Sequence, residues 1–182
     1  SSNGILHEKN EEYEVYYLPY KGNLRDRIYQ KYGESKFRLL RQGLTFLELF
    51  LQYFYNKIIP YSNIYTFAKE LMEKKKYEHL VISGNPFNLF KFGFQLNKKF
   101  GVNWTADYRD AWSTSEINDN SSSIFKRIIH KLDTHFEKKW IATASSLSAS
   151  SGPIGKSIEE LTGTKSFALY NGIAFEDFDV VK

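Results

Sequence analysis

The chain has 182 residues, 42% of them apolar and 17% aromatic, which is ample for a packed core and excludes intrinsic disorder and collagen-like or low-complexity classes. Cysteine is absent, so disulfide scaffolds, zinc–thiolate sites and cysteine nucleophiles are excluded as well. A formal charge of +4 is too weak to indicate a nucleic-acid partner, and none is expected.

Ser1 to Glu12 is mostly polar and shows no signal-peptide pattern. Glu14-Val15-Tyr16-Tyr17-Leu18 predicts a strand closed by Pro19, and Lys21 to Glu34 predicts a loop or a short helix. From Phe37 to Ile59 the spacing predicts one long helix ended by Pro60. Leu40, Leu44, Leu47, Leu51, Phe54 and Ile58 form its first apolar stripe, and Phe46, Leu49, Phe50 and Tyr53 form a second. Two readings of that double stripe compete: a helix wedged between a sheet and another helix, or a face offered to a membrane surface or partner. The stretch is interrupted by Glu48 and falls short of the roughly 18–20 uncharged residues a spanning helix needs. Ser62 or Asn63 can cap the next helix, with Ile64, Tyr65, Ala68, Leu71 and Met72 on one face and Lys74-Lys75-Lys76 in its last turn.

Leu80-Val81-Ile82 predicts a short strand of the kind buried in parallel sheets. Asn85 as cap and Pro86 as first residue then open a helix burying Phe87, Phe90 and Phe94, and Gly101 stops it. Val102 to Ala106 predicts the next strand. Ser121 to Ser123 can cap a helix carrying Phe125, Ile128, Ile129, Leu132 and Phe136. Trp140 to Ala144 predicts a strand, Pro153 to Leu161 a helix, and Ser166 to Tyr170 the last strand. Strand and helix alternating with short turns predicts an α/β doubly wound, mostly parallel sheet with helices on both faces.

Ligands of open α/β sheets bind beyond the carboxyl ends of the strands. Those ends carry Ser83-Gly84-Asn85, Asp107-Tyr108-Arg109-Asp110-Ala111-Trp112, Ser145-Ser146 and Asn171-Gly172. The second segment is the densest in chemistry. An arginine fork suits phosphate or carboxylate, carboxylates accept from hydroxyls, and an indole can stack on a sugar. The competing reading is an Arg–Asp pair stiffening a loop around a buried Trp112. Gly155-Lys156-Ser157 opens a helix after a strand, yet Ser150 stands where a phosphate-cradling loop needs glycine, and Pro153 removes an N–H. His7, His79, His130 and His135 lack metal-ligand spacing, so no metal is expected.

The run Leu80-Val81-Ile82-Ser83-Gly84-Asn85-Pro86, then Trp104-Thr105-Ala106-Asp107-Tyr108-Arg109-Asp110-Ala111-Trp112, then Tyr170-Asn171-Gly172 with Phe175 and Phe178, resembles the amino-terminal half of GT-B glycosyltransferases of the family 4 type. The likeness covers Tyr77 to Phe178 in order and spacing, and residues 13–76 agree loosely. It implies a Rossmann-like acceptor-side domain over residues 1–178, with 179–182 starting the connection to a donor-binding domain. The implied activity is a retaining, cofactor-independent transfer from a nucleotide-sugar donor to a sugar or lipid-linked acceptor in surface polysaccharide synthesis, in the cytoplasm or at the inner face of the membrane. Arg109 and Asp110 would be its catalytic residues, and Ser83, Gly84, Asn85, Asp107, Trp112, Asn171 and Gly172 would bind substrate. Residues 37–59 would supply any membrane contact.

Three departures stand out. Arg109 and Asp110 lie where many members have a cleft histidine, Ala174 stands where an Asp is common, and Ser1 to Tyr13 supplies no first strand with a glycine-rich turn. The expectation is a domain lacking its first strand, inactive alone, whose open sheet edges invite self-association. The competing functions are a non-catalytic ligand-binding or scaffold module and a nucleotide-binding or epimerase-like domain.

Overall fold

The computed structural model describes residues 5–34, 36–114, 124–170 and 172, and the chain divides into two units, Ser1–Lys76 and Tyr77–Lys182. The second unit begins where the family likeness begins. Ser121 to Ser123, Asn171, Ala174, Phe175, Phe178 and residues 179–182 lie outside the described residues.

In the first unit, β1 (Leu6–Lys9) pairs antiparallel with β2 (Glu14–Tyr17), the strand expected from Glu14. β1 had no signal in the sequence because all four of its residues are exposed. Its stability comes from cross-strand pairs instead: Lys9 Nζ lies 2.8 Å from Glu14 Oε1, and the His7 ring stacks on Tyr16 at 4.2 Å. Helix α1 (Leu24–Tyr32) starts at a capping box in which Asn23 and Asp26 satisfy each other's backbone N–H. Gly33 closes it at positive φ, 75°, a backbone conformation that favours glycine.

The long helix expected from Phe37 to Ile59 is shorter. Helix α2 spans Arg38–Leu51, and a 3-10 turn, Asn56–Ile58, follows before Pro60. Tyr53 and Ile59, only 4% and 1% exposed, are the reason. Six positions apart, they cannot share one face of a 3.6-residue helix, and breaking it lets both side chains turn inward. Helix α3 (Ser62–Lys74) starts one residue after Tyr61 with no side-chain cap, since Asn63 is used elsewhere: its Nδ2 donates to the Pro19 carbonyl at 2.7 Å.

The second unit is a Rossmann-like α/β domain with a four-stranded parallel sheet flanked by helices. Its strands, β3 (His79–Ser83), β4 (Asn103–Tyr108), β5 (Ser146–Ala149) and β6 (Ser166–Ala168), lie in that order. The connecting helices are α4 (Leu89–Phe100), α5 (Ile124–Ile141) and α6 (Gly152–Thr162). All three crossovers step the same way across the sheet, so a common handedness puts the three helices on one face. That face holds the core: Trp104, Ala106 and Tyr108 of β4 with Leu147 and Ala149 of β5, none measurably exposed. Phe90 of α4 meets the Trp104 and Tyr108 rings. A Cβ on Gly93 would sit 2.6 Å from Trp104, so glycine is required for α4 to lie this close to the sheet.

The opposite face carries His79, Val81 and Ser83, then Thr105 and Asp107, then Ser146 and Ser148. β3 therefore alternates rather than being buried on both sides, with Val81 68% exposed.

Two further expectations change. Asn85 does not cap a helix opened by Pro86; it has φ 81°, the Asn85–Pro86 bond is cis, and α4 starts at Leu89. Trp140 to Ala144 is not a strand. Helix α5 runs on to Ile141, because Phe136, Glu137, Trp140 and Ile141 continue one buried helical stripe, and the strand is the next alternating run, Ser146–Ala149. Gly155, from the Gly155-Lys156-Ser157 run, packs close to Ser166 and Ala149 and serves helix–strand packing.

Candidate functional site

The carboxyl ends of β3, β4 and β5 bring three polar side chains into one row. Register pairs Ser83 with Asp107 and Asp107 with Ser148, and strand alternation then turns all three to the face opposite Ala106 and Leu147. Both serine hydroxyls donate to the carboxylate: Ser83 Oγ to Oδ2 at 2.5 Å and Ser148 Oγ to Oδ1 at 2.7 Å. Arg109 Nε adds a third bond, 3.1 Å to Oδ2. Asp107 is only 4% exposed, and burial alone pushes its carboxyl upward, but the two hydroxyls and the guanidinium outweigh that and hold it below the ordinary range. It is an anion at neutral pH whose acceptor sites face fixed donors.

A parallel row lies two residues nearer the strand starts, about 6–7 Å away by strand rise. His79 Nε2 and Ser146 Oγ each lie 2.8 Å from Thr105 Oγ1.

The Asp107 carboxylate is thus engaged by its neighbours and fixes them in place. Arg109 is held at its Nε while its side chain stays 45% exposed. Its carbonyl accepts from Ser150 Oγ at 2.7 Å, and Ser150 N donates to the Tyr108 carbonyl, so β5 also fixes the backbone of this loop. Gly84 N donates to the Asp107 carbonyl at 2.8 Å. Asp110, after Arg109, and Asn85, after Gly84, are exposed, and no side-chain bond engages Asp110 among the described residues. The exposed groups are therefore one guanidinium, one carboxylate, one amide and the edge of Ser83. That set can hydrogen-bond to sugar hydroxyls or to a phosphate or carboxylate.

Two expected binding residues have other work. Trp112 is 9% exposed, flat against Phe87 at 5.4 Å and stacked on Trp140 at 5.7 Å, with Nε1 donating to Asp133 at 3.0 Å. No ring face remains for a sugar, and the indole anchors the loop to α5 instead. Gly84 is buried, and a Cβ there would lie 2.6 Å from Phe90; the close approach is to the aromatic core. Gly172 is exposed, and Asn171 lies outside the described residues.

The loop is pinned a second time by Glu137, which is wholly buried. Tyr108 Oη donates to its Oε1 at 2.9 Å and Ser113 N to its Oε2 at 3.1 Å. Burial raises the Glu137 carboxyl above its ordinary value, against the pull of those bonds, and raises the Tyr108 phenol far more.

Ser148 and Ser150 are site residues not expected from the sequence, because the strand is Ser146–Ala149 and Ser145-Ser146 is its start, not its end. Their signal was present: Ser146-Leu147-Ser148-Ala149-Ser150 alternates with period two, which aligns its hydroxyls on one face. No family model, no curated protein and no solved structure matches the chain.

Proposed function

We propose that the chain is the acceptor-side part of a GT-B-type glycosyltransferase, moving a sugar from a nucleotide-sugar to a glycan or lipid-linked acceptor in surface polysaccharide synthesis. The observation that carries this reading is Asp107, held by Ser83 and Ser148, fixing Arg109 at the carboxyl end of a parallel sheet. Arg109 and Asp110 are the residues that meet ligand there. The arginine answers an acceptor hydroxyl or the leaving diphosphate, and the carboxylate accepts from a sugar hydroxyl or takes its proton. Asp107, Trp112 and Glu137 are positioning residues. The donor nucleotide binds elsewhere, in a second domain, and no resident cofactor takes part.

Work at the inner face of a membrane fits the same reading. Among the described residues no helix is long and apolar enough to cross a membrane, yet α2 and the turn after it expose Leu39, Leu40, Phe46, Phe50 and Phe54.

The test is Arg109→Ala and Asp110→Asn in the enzyme with its donor-binding domain. Each is expected to lower turnover at least about tenfold, the worth of one charge-assisted hydrogen bond. Unchanged turnover in both would remove the two residues from the chemistry. Nucleotide-sugar binding to this chain alone would favour the nucleotide-binding reading instead.

A further inference from the structure

We propose that the first unit carries a pocket for an anionic amphiphile, a molecule with one apolar chain and a phosphate or carboxylate head. The pocket, 490 Å³ in volume, lies between the start of α1, the middle of α2 and the turn before α3. That volume is within the usual range for small-ligand sites. Leu44, Leu47 and Leu51 of α2 with Ile58 and Ile59 line it with apolar surface. Around them stand Lys21, Arg25, Arg27 and Lys57, against a single carboxylate, Glu48.

The charges divide into a structural pair and a free set. Arg25 Nη1 lies 3.2 Å from Glu48 Oε2 while Nη2 lies 3.0 Å from Asp26 Oδ1, so this arginine ties α1 to α2. Burial pushes the Glu48 carboxyl upward and Arg25 pulls it back; a carboxylate already committed to a guanidinium is a poor trap for a cationic ligand. Lys21, Arg27 and Lys57 are exposed and make no ion pair among the described residues. A neutral ligand would leave those cations unanswered, and an inorganic anion would leave the leucine and isoleucine surface wet. An anionic head on an apolar chain satisfies both.

This site is independent of the strand-end cluster and of the transferase reading. It is tested on the chain itself by calorimetric titration with dodecyl phosphate below its micelle concentration. Inorganic phosphate and dodecyltrimethylammonium serve as comparators, and phosphatidylglycerol vesicles test the bilayer source. The expected result is one dodecyl phosphate per chain, with both comparators weaker by about tenfold or more. Arg27→Glu with Lys57→Glu is expected to weaken dodecyl phosphate about tenfold or more, and Leu47→Asp to do the same by removing apolar lining. Leu47 is 52% exposed, so that variant keeps its fold, and Arg27→Gln is the milder charge variant should the double reversal fail to fold. Equal binding of the cationic amphiphile, equal binding of inorganic phosphate, or indifference to Leu47→Asp would overturn the proposal. So would binding to vesicles with none to the monomeric amphiphile, since that is adsorption through an exposed face.

Discussion

Glu137→Ala is expected to destabilise the second unit by about 3 kcal/mol, because it orphans two buried donors and leaves a cavity. The donors are Tyr108 Oη and Ser113 N, each within 3.1 Å of the wholly buried carboxylate. Trp104, Trp112 and Trp140 are the protein's three tryptophans and all belong to this unit, so denaturant unfolding followed by indole fluorescence reads the loss there. The pH dependence has a definite sign. Burial raises the Glu137 pKa in the folded state, so its contribution is complete below the unfolded value of about 4.3 and is lost as pH rises through the folded one. Glu137→Gln should flatten that part of the profile.

Asp107→Ala is expected to cost about 2 kcal/mol and to release Arg109. It leaves the Ser148 hydroxyl, 2% exposed, without its acceptor and cuts the bond that holds the guanidinium. Here the sign is opposite. The folded pKa lies below the ordinary one, so the stability Asp107 supplies is complete above about pH 3.9 and is lost as pH falls through the folded value. Asp107→Asn should remove that acid loss while leaving the Glu137 slope intact. A variant profile with the acid limb unchanged would show that the carboxylate is not the group the serines and Arg109 stabilise.

The two residues also show what was legible from sequence. Asp107 was, because a strand of Trp104, Thr105 and Ala106 runs straight into it, and a polar residue at a strand's carboxyl end is informative wherever helices cross over. Glu137 was not: on a helix with four lysines and an arginine it looks like solvated surface, and only tertiary packing against Tyr108 and Ser113 buries it. Trp112 offered two readings, stacking platform or buried anchor, and its Phe87 and Trp140 neighbours decide for the anchor.

Boundaries failed where local propensity and packing disagreed. Trp140 and Ile141 are good strand formers, and they are helical because their stripe faces the core. The same competition shortened α2, where apolar spacing continues past Leu51 but one unbroken helix would not turn both Tyr53 and Ile59 inward. β1 escaped notice because a hairpin held by side-chain pairs on exposed strands leaves no periodic burial to read. In the second unit the order of strands and helices was legible throughout, since right-handed crossovers leave few alternatives.

The row Ser83–Asp107–Ser148, with Arg109 and Asp110 beyond it, is proposed as an acceptor site. The most direct measurement is an amide chemical-shift titration of the chain with oligosaccharide and lipid-linked acceptors and, separately, with nucleotide-sugars. The expected result is acceptor-dependent shifts at Ser83 to Asn85, Asp107 to Asp110 and Ser148 to Ser150, abolished by Arg109→Ala, with nucleotide-sugars leaving those amides unmoved. Shifts of the same amides by nucleotide-sugars, or acceptor shifts confined to other parts of the chain, would contradict it.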